Sequence, residues 1–132
     1  MGLSIPLGDS LLVPVVLENP ISRKRYPERG EMIAVVDTGY TGFTLVPEHV
    51  YRELGLSLLE PHRSTARTAD GRIVELRGSY AVVKIPGTGL SWEGLVETAP
   101  SIEEILLGTR WLRDLYLTLD GCTGTAVLEG CR

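Results

Sequence analysis

The sequence is poor in the residues on which several kinds of chemistry depend. Its 132 residues hold two cysteines and two histidines. Cys122 and Cys131 both fall in the last eleven residues, with no CxxC spacing and no histidine cluster beside them. They read as reduced thiols rather than as a disulfide or a metal site. His49 and His62 stand alone and suit surface or structural roles, so neither a metal nor a cofactor is expected. Lysine is scarcer than arginine, 2 against 11, and the formal charge of −4 argues against a general nucleic-acid partner. No long apolar run is present either. The run Leu11–Leu17 is interrupted by Pro14 and preceded by no basic leader, which fits neither a membrane span nor a signal peptide. The expectation is a cytoplasmic chain with no membrane partner, forming one domain over residues 1–132, long enough to bury a core.

What is present is concentrated in Ile33–Pro47, IAVVDTGYTGFTLVP. Ile33-Ala34-Val35-Val36 leads into Asp37-Thr38-Gly39, and Phe43-Thr44-Leu45-Val46 leads out to Pro47. β-Branched and apolar residues on both sides predict two short buried strands around a tight loop. Glycine permits backbone conformations that other residues avoid, and the threonine hydroxyls can satisfy loop backbone groups. A carboxylate between two apolar strands is costly unless it is hydrogen-bonded or paired. Asp37 is therefore the candidate reactive group.

The strand context and the Asp-Thr-Gly resemble the active-site signature of aspartic proteases. The resemblance extends to Leu106-Leu107-Gly108 and the following Thr109-Arg110-Trp111-Leu112, similar to the family's second mark, which opens a short helix and braces the catalytic loop. A chain of this length with one Asp-Thr-Gly resembles the single-domain, retropepsin-like branch. That resemblance implies an all-β, closed acid-protease barrel with one or two short helices, working as a homodimer. It implies an aspartic endopeptidase acting on peptides or unfolded proteins. Asp37 from each of two chains would form the catalytic pair, with Thr38 and Gly39 supporting the loop. Two such carboxylates share one proton because close like charges cannot both ionise cheaply. The chain departs from the pattern at Tyr40, where pepsin-like enzymes carry Ser or Thr and retroviral ones Ala.

The remaining elements are read in order. Leu11–Glu18 predicts a strand that Pro14 pushes toward an edge, and Asn19–Gly30 a charged loop. Pro47–Leu54 predicts a short helix opened by Pro47 and closed by Gly55. Ser64–Ala69 and Arg72–Leu76 predict a hairpin whose Asp70-Gly71 makes a type I′ turn; its place in the chain matches the family's flap, without the glycine-rich tip. Ser79–Ile85 and Leu90–Thr98 follow as strands. Ser101 predicts the N-cap of a helical turn at Ile102–Ile105, with Glu103-Glu104 at its solvated start. A helix to about Leu115 and a last hairpin, Tyr116–Leu119 with Thr125–Leu128, complete the chain. Asp120 is read as a turn residue.

Two other functions compete. Asp37-Thr38-Gly39-Tyr40-Thr41 also fits the D-x-G-x-T phosphate loop of actin- and hexokinase-like ATPases, but those folds need a longer chain and further acidic loops. The other is a catalytically silent, protease-like dimeric module that binds peptides or serves as a scaffold.

Overall fold

One strand closes the barrel. In the computed structural model, which describes residues 2–131, β2 (Leu12–Glu18) pairs along its first half with β4 (Met32–Val36). Its second half, from Val16 on, pairs with β7 (Ile73–Ile85). Val13, Val15 and Leu17 alternate inward and are fully buried, the period-two pattern of a strand with one face on the core. Pro14 lies in the half paired with β4 alone, where its missing N–H costs no second ladder. Across the seam, Lys84 Nζ donates to Glu18 Oε2 at 2.8 Å. The one-domain expectation extends to Met1 and Arg132, which lie outside the described residues.

The ring runs from β4 through β9 (Ile105–Leu107), β5 (Thr44–Val46) and β8 (Leu90–Thr98) back to β7. β9 is parallel to β4 on one side and antiparallel to β5 on the other. A two-residue β3 (Arg25–Tyr26) extends the pairing of β2, and β6 (His62–Arg67) lies outside β7. A second sheet stands apart, in the order β1 (Gly2–Pro6), β11 (Thr125–Gly130), β10 (Leu115–Asp120). The architecture is all-β with few short helices: α1 (Glu48–Glu53), α2 (Thr109–Leu112) and a 3-10 turn at Leu56–Leu58. Trp111, Tyr51, Leu54 and Leu107 are among the largest fully buried side chains. The indole of Trp92 meets Trp111 edge to face, with centroids 5.3 Å apart, a favoured aromatic geometry. Among the described residues no helix is long and apolar enough to cross a membrane.

Several local expectations need correction. Pro47 is the N-cap of α1 rather than its first residue, while Gly55 follows the helix at φ 74°, as its closing role requires. The helical turn at Ile102–Ile105 is absent. Ile105 begins β9 instead, because burying Ile105 and Leu107 between β4 and β5 outweighs the local cap signal of Ser101. The later helix stops at Leu112, and Leu115 already belongs to β10. The Asp70-Gly71 turn is not type I′. Gly71 has φ 86° but Asp70 is not left-handed. The Thr68 N–H donates to Arg72 O and the Gly71 N–H to Thr68 O, so Ala69-Asp70-Gly71 form a three-residue loop with glycine at its bulge.

Cys122 sits in the turn joining β10 to β11 and Cys131 just beyond Gly130. The register from Asp120↔Thr125 to Leu115↔Gly130 separates the two ends of this hairpin by about 17 Å. That is far beyond the reach of a disulfide, and both thiols are free and exposed.

Candidate active site

Asp37 leaves the end of β4 at the mouth of a cleft, and its loop is tied down by the segment that follows β9. The Asp37 N–H donates to Leu107 O at 2.9 Å, Gly108 N–H to Phe43 O at 3.0 Å, Thr109 N–H to Tyr40 O at 2.9 Å and Arg110 N–H to Gly42 O at 3.2 Å. Leu106 pairs with Val35 and Leu45, and Leu107 with Val36 and Thr44. Leu106, Leu107 and Gly108 thus lie against the Asp37 loop. Gly108 has backbone angles open to any residue (φ −91°, ψ −176°). Space is what selects glycine there: an added Cβ would lie 2.1 Å from Gly42 O.

Within the loop, Asp37 Oδ1 accepts the Gly39 N–H at 2.9 Å, which fixes one carboxylate oxygen. Asp37 is half-buried, and Thr38 and Gly39 are exposed. Solvent therefore reaches the carboxylate and the two loop residues. The chain holds one such Asp-Thr-Gly carboxylate.

The cleft has a volume of about 1200 Å³. Asp37 and Gly39 line one side, Ser64–Ala69 of the β6–β7 hairpin cover another, and Glu93, Leu95 and Glu97 of β8 form a third. The hairpin and Asp37 are thus brought to one cavity. Asp70 and Gly71 lie beyond Ala69, at the hairpin tip. There Asp70 accepts from the Thr68 hydroxyl and from Arg72 Nε. These bonds, the Thr68 hydroxyl first, hold its carboxyl below the ordinary range.

Sequence reasoning overlooked Glu97. It is 6 % exposed, accepting the Tyr40 hydroxyl on Oε1 at 2.5 Å and the Ser64 hydroxyl on Oε2 at 2.7 Å. The signal was present: an acid between Val96 and Thr98 in a strand expected to be buried must find partners. The Tyr40 hydroxyl is therefore bonded to β8. Burial, followed by the hydrogen bond to Glu97, pushes the Tyr40 hydroxyl well above the ordinary tyrosine range. Asp120 accepts the Cys122 and Thr123 N–H groups, which is a turn role. No group of three or more His, Cys, Asp or Glu suited to a metal occurs among the described residues.

Three similarities bear on this site. Residues 28–114 match the family described as gag-polyprotein putative aspartyl protease. An uncharacterized protein of Archaeoglobus fulgidus is 38% identical over 120 residues, covering 91% of this chain and 94% of the relative. The crystal structure of a retropepsin-like aspartic protease from Rickettsia conorii superposes with a TM-score of 0.67 at 17% identity, covering 98% of this chain and 91% of the other. The last is a likeness of fold.

Proposed function

From the premise that this chain belongs to the retropepsin-like aspartic protease family, we propose that it is an aspartic endopeptidase working as a homodimer. Each subunit contributes Asp37 to one shared site. The observation that carries the reading is the laced loop, which offers one half-buried carboxylate and the exposed Thr38 at the mouth of a cleft under a hairpin arm. A single carboxylate cannot act as general base and general acid at the same moment, so the second comes from another copy across a two-fold axis.

The chemistry follows from the pair. The ionised Asp37 takes a proton from water, whose oxygen attacks the scissile carbonyl carbon. The protonated Asp37 of the second copy gives its proton to the carbonyl oxygen. Collapse of the tetrahedral intermediate then breaks the C–N bond: the leaving nitrogen takes the proton held by the first carboxyl, and a diol hydroxyl returns a proton to the second carboxylate, which leaves a carboxylic acid and restores the pair. Thr38 braces the two loops across the axis, and the hairpin with Asp70-Gly71 at its tip closes over an extended peptide. Substrates are peptides or unfolded protein, met in the cytoplasm, with no cofactor, nucleic acid or membrane involved.

Refolded mixtures of wild-type and Asp37→Asn chains test this. If the wild-type fraction is f, dimers with two intact carboxylates form as f², so an equal mixture keeps about a quarter of the activity on an unfolded-protein substrate. A linear dependence on f would mean that each chain carries a complete site. Peptide binding without cleavage by the wild type would make the chain a silent peptide-binding module.

A further inference from the structure

The loop that carries Asp37 and the arm that overhangs it meet on one buried carboxylate. Glu97 lies near the end of β8 opposite Gly78 of β7. A Cβ on Gly78 would sit 2.9 Å from Glu97 Cγ, so this glycine makes room for the acid. The two hydroxyls bonded to Glu97 come from separate elements: Tyr40, the residue after Asp-Thr-Gly, and Ser64, in β6. No cation pairs with Glu97 among the described residues, so these two hydroxyls offset much of its desolvation. The Tyr40 ring has little freedom to yield. A Cβ on Gly42 would lie 2.3 Å from its hydroxyl, and one on Gly108 would lie 2.7 Å from its Cδ2. Movement at the hydroxyl therefore passes to the Tyr40 backbone, whose carbonyl accepts the Thr109 N–H.

We propose that Glu97 is a positioning residue that couples the hairpin arm to the Asp37 loop. When the arm settles, Ser64 docks on Oε2 and holds the carboxylate against Tyr40, and Tyr40 fixes the backbone next to Asp37. The coupling itself is a property of the fold. Its value for catalysis rests on the protease reading above.

Amide hydrogen exchange tests the coupling without requiring turnover. The comparison is between wild type, Ser64→Ala, Ser64→Thr, Tyr40→Phe and Glu97→Gln, with the β10–β11 amides as the reference for overall stability. Removing the Ser64 hydroxyl should speed exchange at Tyr40 and Thr109 about ten-fold, with β10–β11 unchanged. Ser64→Thr, which keeps a hydroxyl, should restore slow exchange. Tyr40→Phe should loosen β6, and Ser64→Ala added to Glu97→Gln should bring no further change. Faster exchange confined to the mutated element, or spread uniformly into β10–β11, overturns the coupling. On a cleaved peptide, Ser64→Ala should lower kcat at nearly constant KM; a rise in KM alone overturns the positioning role. A wild-type chain that cleaves nothing refutes the protease reading, and the exchange data still decide the coupling.

Discussion

Gly108→Ala is the sharpest probe of how the Asp37 loop is built. The backbone at Gly108 is extended and acceptable to alanine, so the substitution carries no conformational strain of its own. Its cost is steric. The new Cβ would lie 2.1 Å from Gly42 O and 2.7 Å from both Tyr40 O and Tyr40 Cδ2, whereas such carbon–oxygen contacts settle at about 3.3 Å or more. Relief requires a shift of about 1 Å between the post-β9 segment and the loop. The bonds at risk are those from Gly108, Thr109 and Arg110, at 3.0, 2.9 and 3.2 Å, which a shift of that size would stretch beyond hydrogen-bonding range. At about 1 kcal/mol for each bond, the loss is about 3 kcal/mol, enough to lower Tm by roughly 10 °C. On the protease reading proposed above, misplacing Asp37 by that distance would cost about 100-fold in rate. Thermal unfolding and exchange at the Tyr40 and Thr109 amides provide the assay. A variant within about 0.5 kcal/mol of wild type, with slow exchange preserved, would refute the claim that this contact shapes the loop.

Three further outcomes are expected. Thr44 is fully buried and its Oγ1 has no hydrogen-bond partner, so Thr44→Val should stabilise by about 1 kcal/mol in denaturant titration; a comparable loss would reveal a bond that the hydroxyl makes. Lys84 above all, opposed by burial and helped by Arg23, holds the Glu18 carboxyl below its ordinary 4.5. A depressed folded pKa stabilises above the unfolded value and loses that contribution as pH falls through the folded one. Glu18→Gln should therefore cost about 1 kcal/mol at pH 7, with screening at this partly exposed pair taken into account, and progressively less below about pH 4.5. An undiminished difference at pH 3 would contradict this sign. Finally, a statine-type transition-state mimic should slow exchange across Thr68–Ile73 as the arm orders; protection found only elsewhere would remove the hairpin from the site.

The parts legible in the sequence were those where local chemistry and tertiary structure agree. The two apolar runs around Asp37 flank a loop as expected, Gly55 closes its helix, and Leu90–Thr98 is the strand that its apolar content predicts, whereas Arg72–Leu76 and Ser79–Ile85, expected as separate segments, run together as β7. β9 was not legible as a strand. Three residues are too few to show a period, and Ser101 with Glu103 and Glu104 gives a local helix signal that the slot between β4 and β5 overrides. The place of Leu106-Leu107-Gly108 came from resemblance instead. β1 escaped because only Ile5 of its five residues is buried. Glu97 escaped because its partners, Tyr40 and Ser64, lie 57 and 33 residues away, and a single sequence shows no such pairing.

The threading of β9 between β4 and β5 also sets when the loop can exist. Thr109 and Thr41, which meet across the lacing, are 68 residues apart in the chain. During synthesis β4 and β5 emerge long before the strand that joins them, leaving an open slot with two unsatisfied edges. Contacts this distant form late, after most of the chain is available. Until residues 105–110 have left the ribosome, the carboxylate of Asp37 hangs on an unanchored loop. The bonds that hold the Asp37 loop therefore form only after residues 105–110 have been made.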